Sequence, residues 1–547
     1  MKKMKKIMAL VVAMVMVLSM SMAVFAAPTD TTITTPNETG HTYSIFQIFK
    51  GDLADGKLSN ITWGKNGAGT ENQLVADTVL AALEGITSTA DAAKVDDILA
   101  ALGIAKTSLT DASAFKTGVA ANTATTVPTG YYLVKDVDNS QAGEDDAYTL
   151  LLIQVVGPTT LTAKMDTPEV VKKVTDVNDS DATVEADQDS ADYDIGDEVP
   201  FKLTATLASN VSSYKKYHIT FVDTLESGKF SAISDLTIKL NDVAIANGTG
   251  YTVSTSGYAG DVAPSPTGFT QTIEFTPAGE GNTLLPASLD SAVVTIEFTA
   301  TLGPNAALGK AGNKNEVELE FSNNPNDDQG GEEGKTPKDT VRVFTYQVTV
   351  NKIDPEKEGS DKSLTGANFT LYKKVAGTTT PAAEEGGEAT TTYPADAKTG
   401  AAIKATFDTS VKADALDDES YYVVAGTKTG DATGATFSFK GIDDGTYVLV
   451  ETTIPAGYNG WDAVEFDIEA EHEAESDDPQ LTSLTGGDLV SGDFKDTGII
   501  TTNIENKQGA TLPSTGGIGT TIFYIIGAIL VIGAGVVLVT RRRMSAN

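Results

Sequence analysis

The sequence contains no cysteine and is poor in histidine and tryptophan, with three and two residues respectively. Without cysteine, neither disulfide bonds nor thiolate metal sites are available, so the chain either needs no covalent cross-link or uses another kind. His41, His218 and His472 have spacings that fit neither a metal site nor a Ser-His-Asp triad. We therefore expect no enzyme and no cofactor, and we expect His472, between Glu471 and Glu473, to be solvated.

Basic residues are also scarce, because 39 Lys and Arg stand against 75 Asp and Glu, a formal net charge of −36. This charge argues against nucleic acid as a partner and fits an extended, soluble object at a cell surface. The acidic run Asp176–Asp197 has enough carboxylates for calcium but lacks the residue order of an EF-hand loop. We predict no resident metal, and calcium binding by the acidic loops is left open.

Both ends of the chain carry segments typical of export. Residues 1–26 combine four lysines, an apolar stretch and small residues at Val24-Phe25-Ala26, which predicts a signal peptide. Near the other end, a pentapeptide precedes an uncharged apolar run from Ile518 to Thr540 and three arginines, Arg541-Arg542-Arg543. That run is long enough to cross a bilayer as a helix, and the arginines would stay in the cytoplasm.

The pentapeptide, Leu512-Pro513-Ser514-Thr515-Gly516, resembles the LPxTG sorting signal of Gram-positive surface proteins. Pro513 keeps the chain extended for entry into a cleft, and Gly516 leaves the Thr515 carbonyl unobstructed. The resemblance implies that a sortase cysteine attacks the Thr515 carbonyl and passes the protein to an amine. The membrane helix would then be a transient anchor, and the product would lie in the cell wall or on a surface pilus.

Between these ends the sequence alternates apolar and polar residues, rich in β-branched types and interrupted by Gly, Pro, Asn and Asp. It predicts an all-β protein of tandem immunoglobulin-like β-sandwich domains. Val95, Ile98, Leu99 and Leu102 have helical spacing instead, which predicts a partly helical insertion in the first domain. Breaks in the pattern predict domains at 27–163, 164–345 and 346–507, followed by the sorting segment 508–547.

Strand parity places charged residues on the core face in the second and third domains. Lys172 alternates with Val170 and Val174 near the start of the second domain. In each domain the same parity places three side chains inward: a lysine in the first strand, an acid in a middle strand and an asparagine at the last strand. The two sets are Lys172, Asp223 and Asn323, with Asn324 as the alternative to Asn323, and Lys352, Glu451 and Asn506.

These residue types suit a self-catalysed cross-link. A buried lysine tends to be neutral and nucleophilic, and a carboxyl in the same apolar setting can stay protonated and donate a hydrogen bond to a carboxamide. Attack on the asparagine would expel ammonia and leave an amide. From the residues alone, an alternative stays open, in which the lysines reach the surface and the asparagines only end strands.

Longer motifs resemble two kinds of domain. Three segments are similar to the isopeptide-forming domain of Gram-positive fimbrial backbone subunits: Pro168–Val174, Phe221–Leu225 and Glu320–Pro325. Three others are similar to the collagen-adhesin B-type repeat: Val350–Lys352, Gly445–Tyr458 and Ile504–Asn506. The resemblance implies intramolecular Lys–Asn bonds, with Asp223 and Glu451 as the catalytic acids. The first domain has Lys135 where the third has its glutamate, so we expect no such bond there.

The resemblance also implies how copies are joined. In such pilins a class C sortase links the threonine of one subunit to a lysine of the next, within a Tyr-Pro-Lys-type motif between the first two domains. Here Thr162-Ala163 replaces Tyr-Pro, and the position favours Lys164, with Lys172 and Lys173 as rivals. The implied partners are that sortase, further copies of the chain, accessory pilins, and peptidoglycan through a housekeeping sortase. We expect a pilus shaft subunit; the alternative is a single-copy wall-anchored adhesin.

Overall fold

The computed structural model describes residues 29–81, 95–137, 140, 145–163, 166–214, 216–245, 251–256, 268–275, 289–326, 333–380, 390–429, 434–509 and 518–544. The signal peptide, Lys164 and the pentapeptide 512–516 lie outside these residues. Within them the chain is built mainly of strands in three successive groups of sheets, which confirms the predicted all-β, tandem-sandwich fold.

The first group forms two sheets, ordered β5-β1-β8 and β3-β2-β6-β7, with β4 beside β2. Its strands are β1 Asp30–Thr34, β2 Thr42–Ala54, β3 Lys57–Trp63, β4 Lys116–Ala120, β5 Ala124–Pro128, β6 Gly130–Asp136, β7 Leu150–Val155 and β8 Thr159–Thr160. The predicted helical insertion is confirmed between β3 and β4, with helices α1 Asp77–Leu80 and α2 Val95–Ala101 and 3₁₀ turns Lys106–Ser108 and Asp111–Ser113. Val95, Leu99 and Leu102 are buried, as their spacing predicts.

The second group packs two sheets around one core, ordered β10-β9-β12-β18-β14-β15 and β11-β21-β19-β13-β17-β16, with β20 beside β19. Its strands are β9 Glu169–Asn178, β10 Thr183–Gln188, β11 Ser190–Asp192, β12 Glu198–Thr206, β13 Tyr217–Leu225, β14 Phe230–Leu240, β15 Val243–Ala244, β16 Tyr251–Ser256, β17 Phe269–Phe275, β18 Val293–Leu302, β19 Asn313–Ser322, β20 Glu333–Lys335 and β21 Asp339–Phe344. The 3₁₀ turns are Val211–Ser213 and Gly309–Ala311.

The third group has sheets ordered β28-β22-β32 and β26-β27-β23-β29-β30-β31 and a small ribbon β24-β25. Its strands are β22 Tyr346–Ile353, β23 Asn368–Val375, β24 Thr378–Thr380, β25 Thr390–Thr392, β26 Lys398–Thr399, β27 Tyr421–Thr429, β28 Thr436–Ile442, β29 Gly445–Thr453, β30 Val464–His472, β31 Leu481–Thr485 and β32 Ile499–Glu505. Helix α3 Gly400–Lys404 and 3₁₀ turns Gly359–Lys362 and Gly487–Leu489 complete it.

The alternation of apolar and polar residues predicts one continuous strand over Val341–Val350. The structure instead has two strands here, β21 and β22. The break is at the buried Thr345, whose Oγ1 donates to the Ile442 carbonyl oxygen at 3.2 Å. Val343 packs in the core of the second group and Val348 in that of the third, so the chain passes between sheets at this point.

The last helix, α4, runs from Ile518 to Met544, and its described side chains are those of residues 526–538, 541 and 542. None of the helices in the described part of the chain is long and apolar enough to cross a membrane. The transmembrane segment expected over this stretch stays a prediction.

Candidate cross-linking sites

Three strands of the third group bring a lysine, a glutamate and an asparagine into direct contact. Lys352 Nζ, near the end of β22, donates to Asn506 Oδ1 at 2.5 Å, just after β32. Asn506 Nδ2 lies 2.8 and 3.0 Å from Glu451 Oε1 and Oε2 in β29, and Lys352 Nζ lies 3.3 Å from Glu451 Oε1. All three residues are at most 1% exposed. The three residues that strand parity places on the core face therefore form one compact cluster.

The surroundings of Lys352 favour its neutral amine. Burial lowers the pKa of Lys352 to about 8, although the Glu451 carboxylate opposes that change. Nζ lies 5.7 Å from the centre of the Phe369 ring, and the Trp461 backbone N–H donates to Glu451 Oε2 at 2.8 Å, which fixes the carboxyl group. A larger fraction of this amine is unprotonated near neutral pH than in an exposed lysine.

The second group buries a lysine and an acid in the same way. Lys172 Nζ in β9 donates to Asp223 Oδ2 in β13, and both side chains are fully buried. Burial lowers the pKa of Lys172 and raises that of Asp223, while the attraction between the two groups opposes both changes. Nζ lies 5.4 Å from the ring centres of both Phe201 and Phe298. The apolar walls thus favour a neutral pair.

Asn323 does not join this pair, so the sequence prediction for the second domain is wrong on this residue. Asp223 pairs with Val317 of β19, and Asn323 lies six residues beyond Val317, about 20 Å along an extended chain. Its side-chain Nδ2 donates to the backbone carbonyl oxygen of Asp146 at 3.2 Å, and its backbone carbonyl oxygen accepts from the Tyr148 N–H at 2.8 Å. Asn323 therefore connects the second group to the first.

Asn315 is the asparagine beside the Lys172–Asp223 pair. It lies on the core face of β19 opposite Leu225 and is therefore a diagonal neighbour of Asp223. It is fully buried, and within the described residues neither its Oδ1 nor its Nδ2 has a hydrogen-bond partner. A buried carboxamide whose oxygen and nitrogen both lack partners is costly and rare in folded proteins.

Comparisons with known proteins assign two parts of the chain. Residues 504–545 match the LPXTG cell wall anchor motif, and residues 346–479 match the SpaA prealbumin-like fold domain. The trypsin-resistant surface T6 protein of Streptococcus pyogenes serotype M6 is 26% identical over 416 residues, which are 70% of each chain. The chain resembles the backbone pilins of Gram-positive bacteria.

Two solved backbone pilins illustrate the likeness. The T6 backbone pilin of Streptococcus pyogenes has 16% identity and a TM-score of 0.46, covering 90% of this chain and 100% of its own. The major pilin SpaD of Corynebacterium diphtheriae has 16% identity and a TM-score of 0.37, covering 88% and 98%.

The polymerisation lysine of this pilin-like chain stays a prediction, because Lys164 lies outside the described residues. Thr162 and Asp166 on either side of it are exposed. Of the two rivals, Lys172 is fully buried against Asp223, and Lys173 Nζ is held by Asp189 Oδ1 at 2.6 Å with its side chain 25% exposed. Because its side chain is buried, Lys172 is not accessible to an enzyme and is the less favoured of the two rivals.

His472 is not the solvated residue that its acidic neighbours suggest. Its side chain is 13% exposed, with Nδ1 2.8 Å from Ser190 Oγ and Nε2 3.3 Å from Asp176 Oδ2. The Ser190 hydroxyl donates its proton to the Glu473 carbonyl at 2.7 Å. The cluster thus fastens β30 of the third group to β9 and β11 of the second, a contact between strands far apart in sequence.

Proposed function

We propose that this protein is the shaft subunit of a covalently polymerised Gram-positive pilus, stabilised by intramolecular Lys–Asn bonds. The observation that carries the proposal is the buried contact between Lys352, Glu451 and Asn506, because it places a nucleophile, an acid and an amide within bonding reach. The LPXTG match supports processing by a sortase, and the relative is named as trypsin-resistant, a property that internal cross-links would give.

The chemistry at the third-group site balances without any added reagent. The neutral Nζ of Lys352 attacks Cγ of Asn506, so an Nζ–Cγ bond forms and the Cγ–Nδ2 bond breaks. Glu451 contacts both nitrogens and can take a proton from Nζ and deliver one to Nδ2, which leaves as ammonia. The apolar, water-poor site raises the unprotonated fraction of the amine and disfavours competing hydrolysis.

The second group would form the same bond between Lys172 and Asn315, with Asp223 as the acid. The support is the fully buried Lys172–Asp223 pair and the unpartnered carboxamide of Asn315, diagonal to Asp223 on the core face. The first group would have no such bond, since Lys135 stands at the position that corresponds to Glu451.

Assembly would use the segment between the first two groups and the sorting motif that follows the third. After export by the signal peptide 1–26, a class C sortase would join Thr515 of one copy to Lys164 of the next. Accessory pilins and attachment to peptidoglycan by a housekeeping sortase would complete the fibre. A single-copy wall-anchored adhesin would carry the same sorting motif but would not need an accepting lysine, so the fate of Lys164 separates the two functions.

Replacing Lys164 by arginine should abolish the ladder of high-molecular-weight bands in boiled cell-wall extracts, because arginine keeps the charge but offers no amine that can be acylated. Monomer export should be unchanged. Lys173→Arg is the matched control and should leave the ladder intact. A ladder that persists in Lys164→Arg and disappears in Lys173→Arg would move the acceptor to Lys173, and the absence of any ladder in the wild type would favour the lone adhesin.

A further inference from the structure

A group of carboxylates gathers where the second strand group meets the third. Asp192 ends β11, and Asp443 and Asp444 form the turn between β28 and β29. Each offers an oxygen atom, and these atoms all lie within 4.8 Å of one another. Asp192 and Asp443 are 2% and 1% exposed, so two of the three carboxylates are removed from water. Such an arrangement is unfavourable unless a cation or protons compensate it.

A neighbouring acidic cluster shows what compensation looks like in this junction. Asp179, Asp194 and Asp443 surround Lys373, whose Nζ lies 2.9, 3.0 and 2.6 Å from their oxygens. Burial alone would lower the pKa of Lys373, but these carboxylates outweigh it and raise the pKa well above its ordinary value. The carboxylates around Lys373 therefore have a permanent cation between them.

Among the described residues, Asp192 and Asp444 have no lysine partner of this kind, and Asp443 is the member of the cluster that pairs with Lys373. Tyr346 donates its hydroxyl to Asp192 Oδ2 at 2.8 Å, and Asn178 Nδ2 donates to Asp444 Oδ1 at 2.9 Å, and both donors are neutral. Across the part of the chain that the structure describes, neither Asp192 nor Asp444 forms an ion pair with a basic side chain. Lys373 pairs with Asp443 through its Oδ1 atom and has no ion pair with Asp192 or Asp444 among the described residues.

One oxygen of this cluster is buried and free. Asp443 Oδ1 contacts Lys373 and the Tyr447 hydroxyl, the latter at 2.9 Å, whereas Oδ2 has no hydrogen-bond partner among the described residues. Ionised carboxylates whose oxygens lie within 4.8 Å of one another repel each other unless a proton or a cation lies between them.

The donor set indicates which cation fits. All the available ligands are oxygens, contributed by separate segments of chain, and Asp176 lies at the edge, where its Oδ1 accepts from the Asp192 N–H at 3.3 Å. Calcium takes several oxygen ligands in irregular geometry, whereas magnesium demands a regular octahedron and zinc prefers nitrogen and sulfur. A cavity of about 350 Å³, lined partly by Asp176 and Asp444, gives an ion and its waters a path from solvent.

We propose that Asp192, Asp443 and Asp444 form a calcium site that fastens the second strand group to the third. A bound ion would tie the end of β11 to the β28–β29 turn, two segments far apart in sequence, and would remove the repulsion between their carboxylates. The joint between these groups would then be stiffer with calcium than without it.

The test is calcium titration of the purified protein after treatment with EDTA. Isothermal titration calorimetry should show about one site per chain, with a dissociation constant of roughly 10⁻⁴–10⁻³ M, as in extracellular calcium modules. Terbium should bind at the same place and show luminescence excited through tyrosine, because Tyr346 contacts the Asp192 carboxylate. Calcium should displace the terbium, and Tyr346→Phe should reduce its emission.

Asp444→Asn should weaken calcium binding at least about 10-fold, since the loss of a ligand costs no less than the loss of a supporting contact. Asp444 is only partly buried, so this variant is expected to fold, and its folding is checked by circular dichroism. Asp179→Asn is the matched control, because Asp179 faces Lys373 and its side chain is 45% exposed. That variant should bind calcium as the wild type does.

Three results would overturn the proposal. One is no calcium binding by the wild type. Another is equal binding by wild type and Asp444→Asn, which would place the ion elsewhere on this acidic surface. The third is tight magnesium binding without calcium binding, which would exclude calcium as the ligand.

Discussion

Three buried lysines of this protein show how the surroundings decide the chemistry of one residue type. Lys352 faces a single glutamate and an aromatic ring, and burial lowers its pKa to about 8. Lys172 faces one aspartate and two rings, and its pKa is also lowered. Lys373 is equally buried but meets three carboxylates, and its pKa is raised. Only the first two are therefore suited to act as nucleophiles.

The choice between Asn315 and Asn323 can be tested directly. Asn315→Ala should prevent the second-group bond and so add about 17 Da, the mass of the ammonia that is no longer lost, beyond the mass change of the substitution itself. Asn323→Ala, just past the other end of β19, is the control and should leave the bond intact. Intact-mass spectrometry and recovery of the Lys172-containing linked peptide measure both. A bond lost in Asn323→Ala and kept in Asn315→Ala would restore the assignment made from the sequence.

The sequence alone predicts the residue types at these sites but not every partner. Alternation puts Asn315 in β19 and Asn323, just past its end, on the same face, since both share parity with Val317 and Phe321. Which of them meets Asp223 depends on how β13 and β19 are aligned, and strand register between distant segments leaves no local signal. In the third group the same reasoning succeeds because Asn506 directly follows β32, which runs parallel to β22 with Ile504 beside Lys352.

At the scale of elements, each proposed bond fastens an early strand of its group to a late one. Lys352 and Asn506 are 154 residues apart in sequence, although β22 and β32 are neighbours in one sheet. By analogy with disulfides, closing a loop of this size restricts the unfolded chain and stabilises the fold by about 5 kcal/mol. The main-chain hydrogen bonds of the sheet and the cross-link thus resist separation of the same two strands.

Glu451→Ala should leave the third group folded but not cross-linked, because the proton transfers that the bond requires would have no acid. The loss of about 5 kcal/mol, with buried Lys352 left without its carboxylate partner, should lower the melting temperature of the third group by roughly 10–20 °C. Trypsin should cleave this variant faster than the wild type. Glu469→Ala, an exposed position in the neighbouring strand β30, is the control and should change neither property. Full cross-linking in Glu451→Ala would remove Glu451 from the mechanism.

At the scale of the whole molecule, three groups of sheets follow one another, and the second and third lie between the proposed acceptor Lys164 and the proposed sorting residue Thr515. If tension enters at Lys164 and leaves at Thr515, the second and third groups would carry it through covalent bonds, and the junctions between groups would become the compliant parts. The sequence predicts the order of segments, the export signals and the strand-rich fold from local patterns. It does not predict the junction contacts, such as His472 with Ser190 or Asp192 beside Asp443, because their partners are separated by more than 200 residues.

The intact mass of the exported wild-type protein tests the central claim most directly. Each Lys–Asn bond expels one ammonia, so the two bonds should bring the measured mass about 34 Da below the mass calculated from the sequence of the processed chain. Linked peptides should join Lys172 to Asn315 and Lys352 to Asn506. A mass equal to the calculated value, with all four residues recovered in unlinked peptides, would contradict the cross-links and leave ordinary sandwich domains.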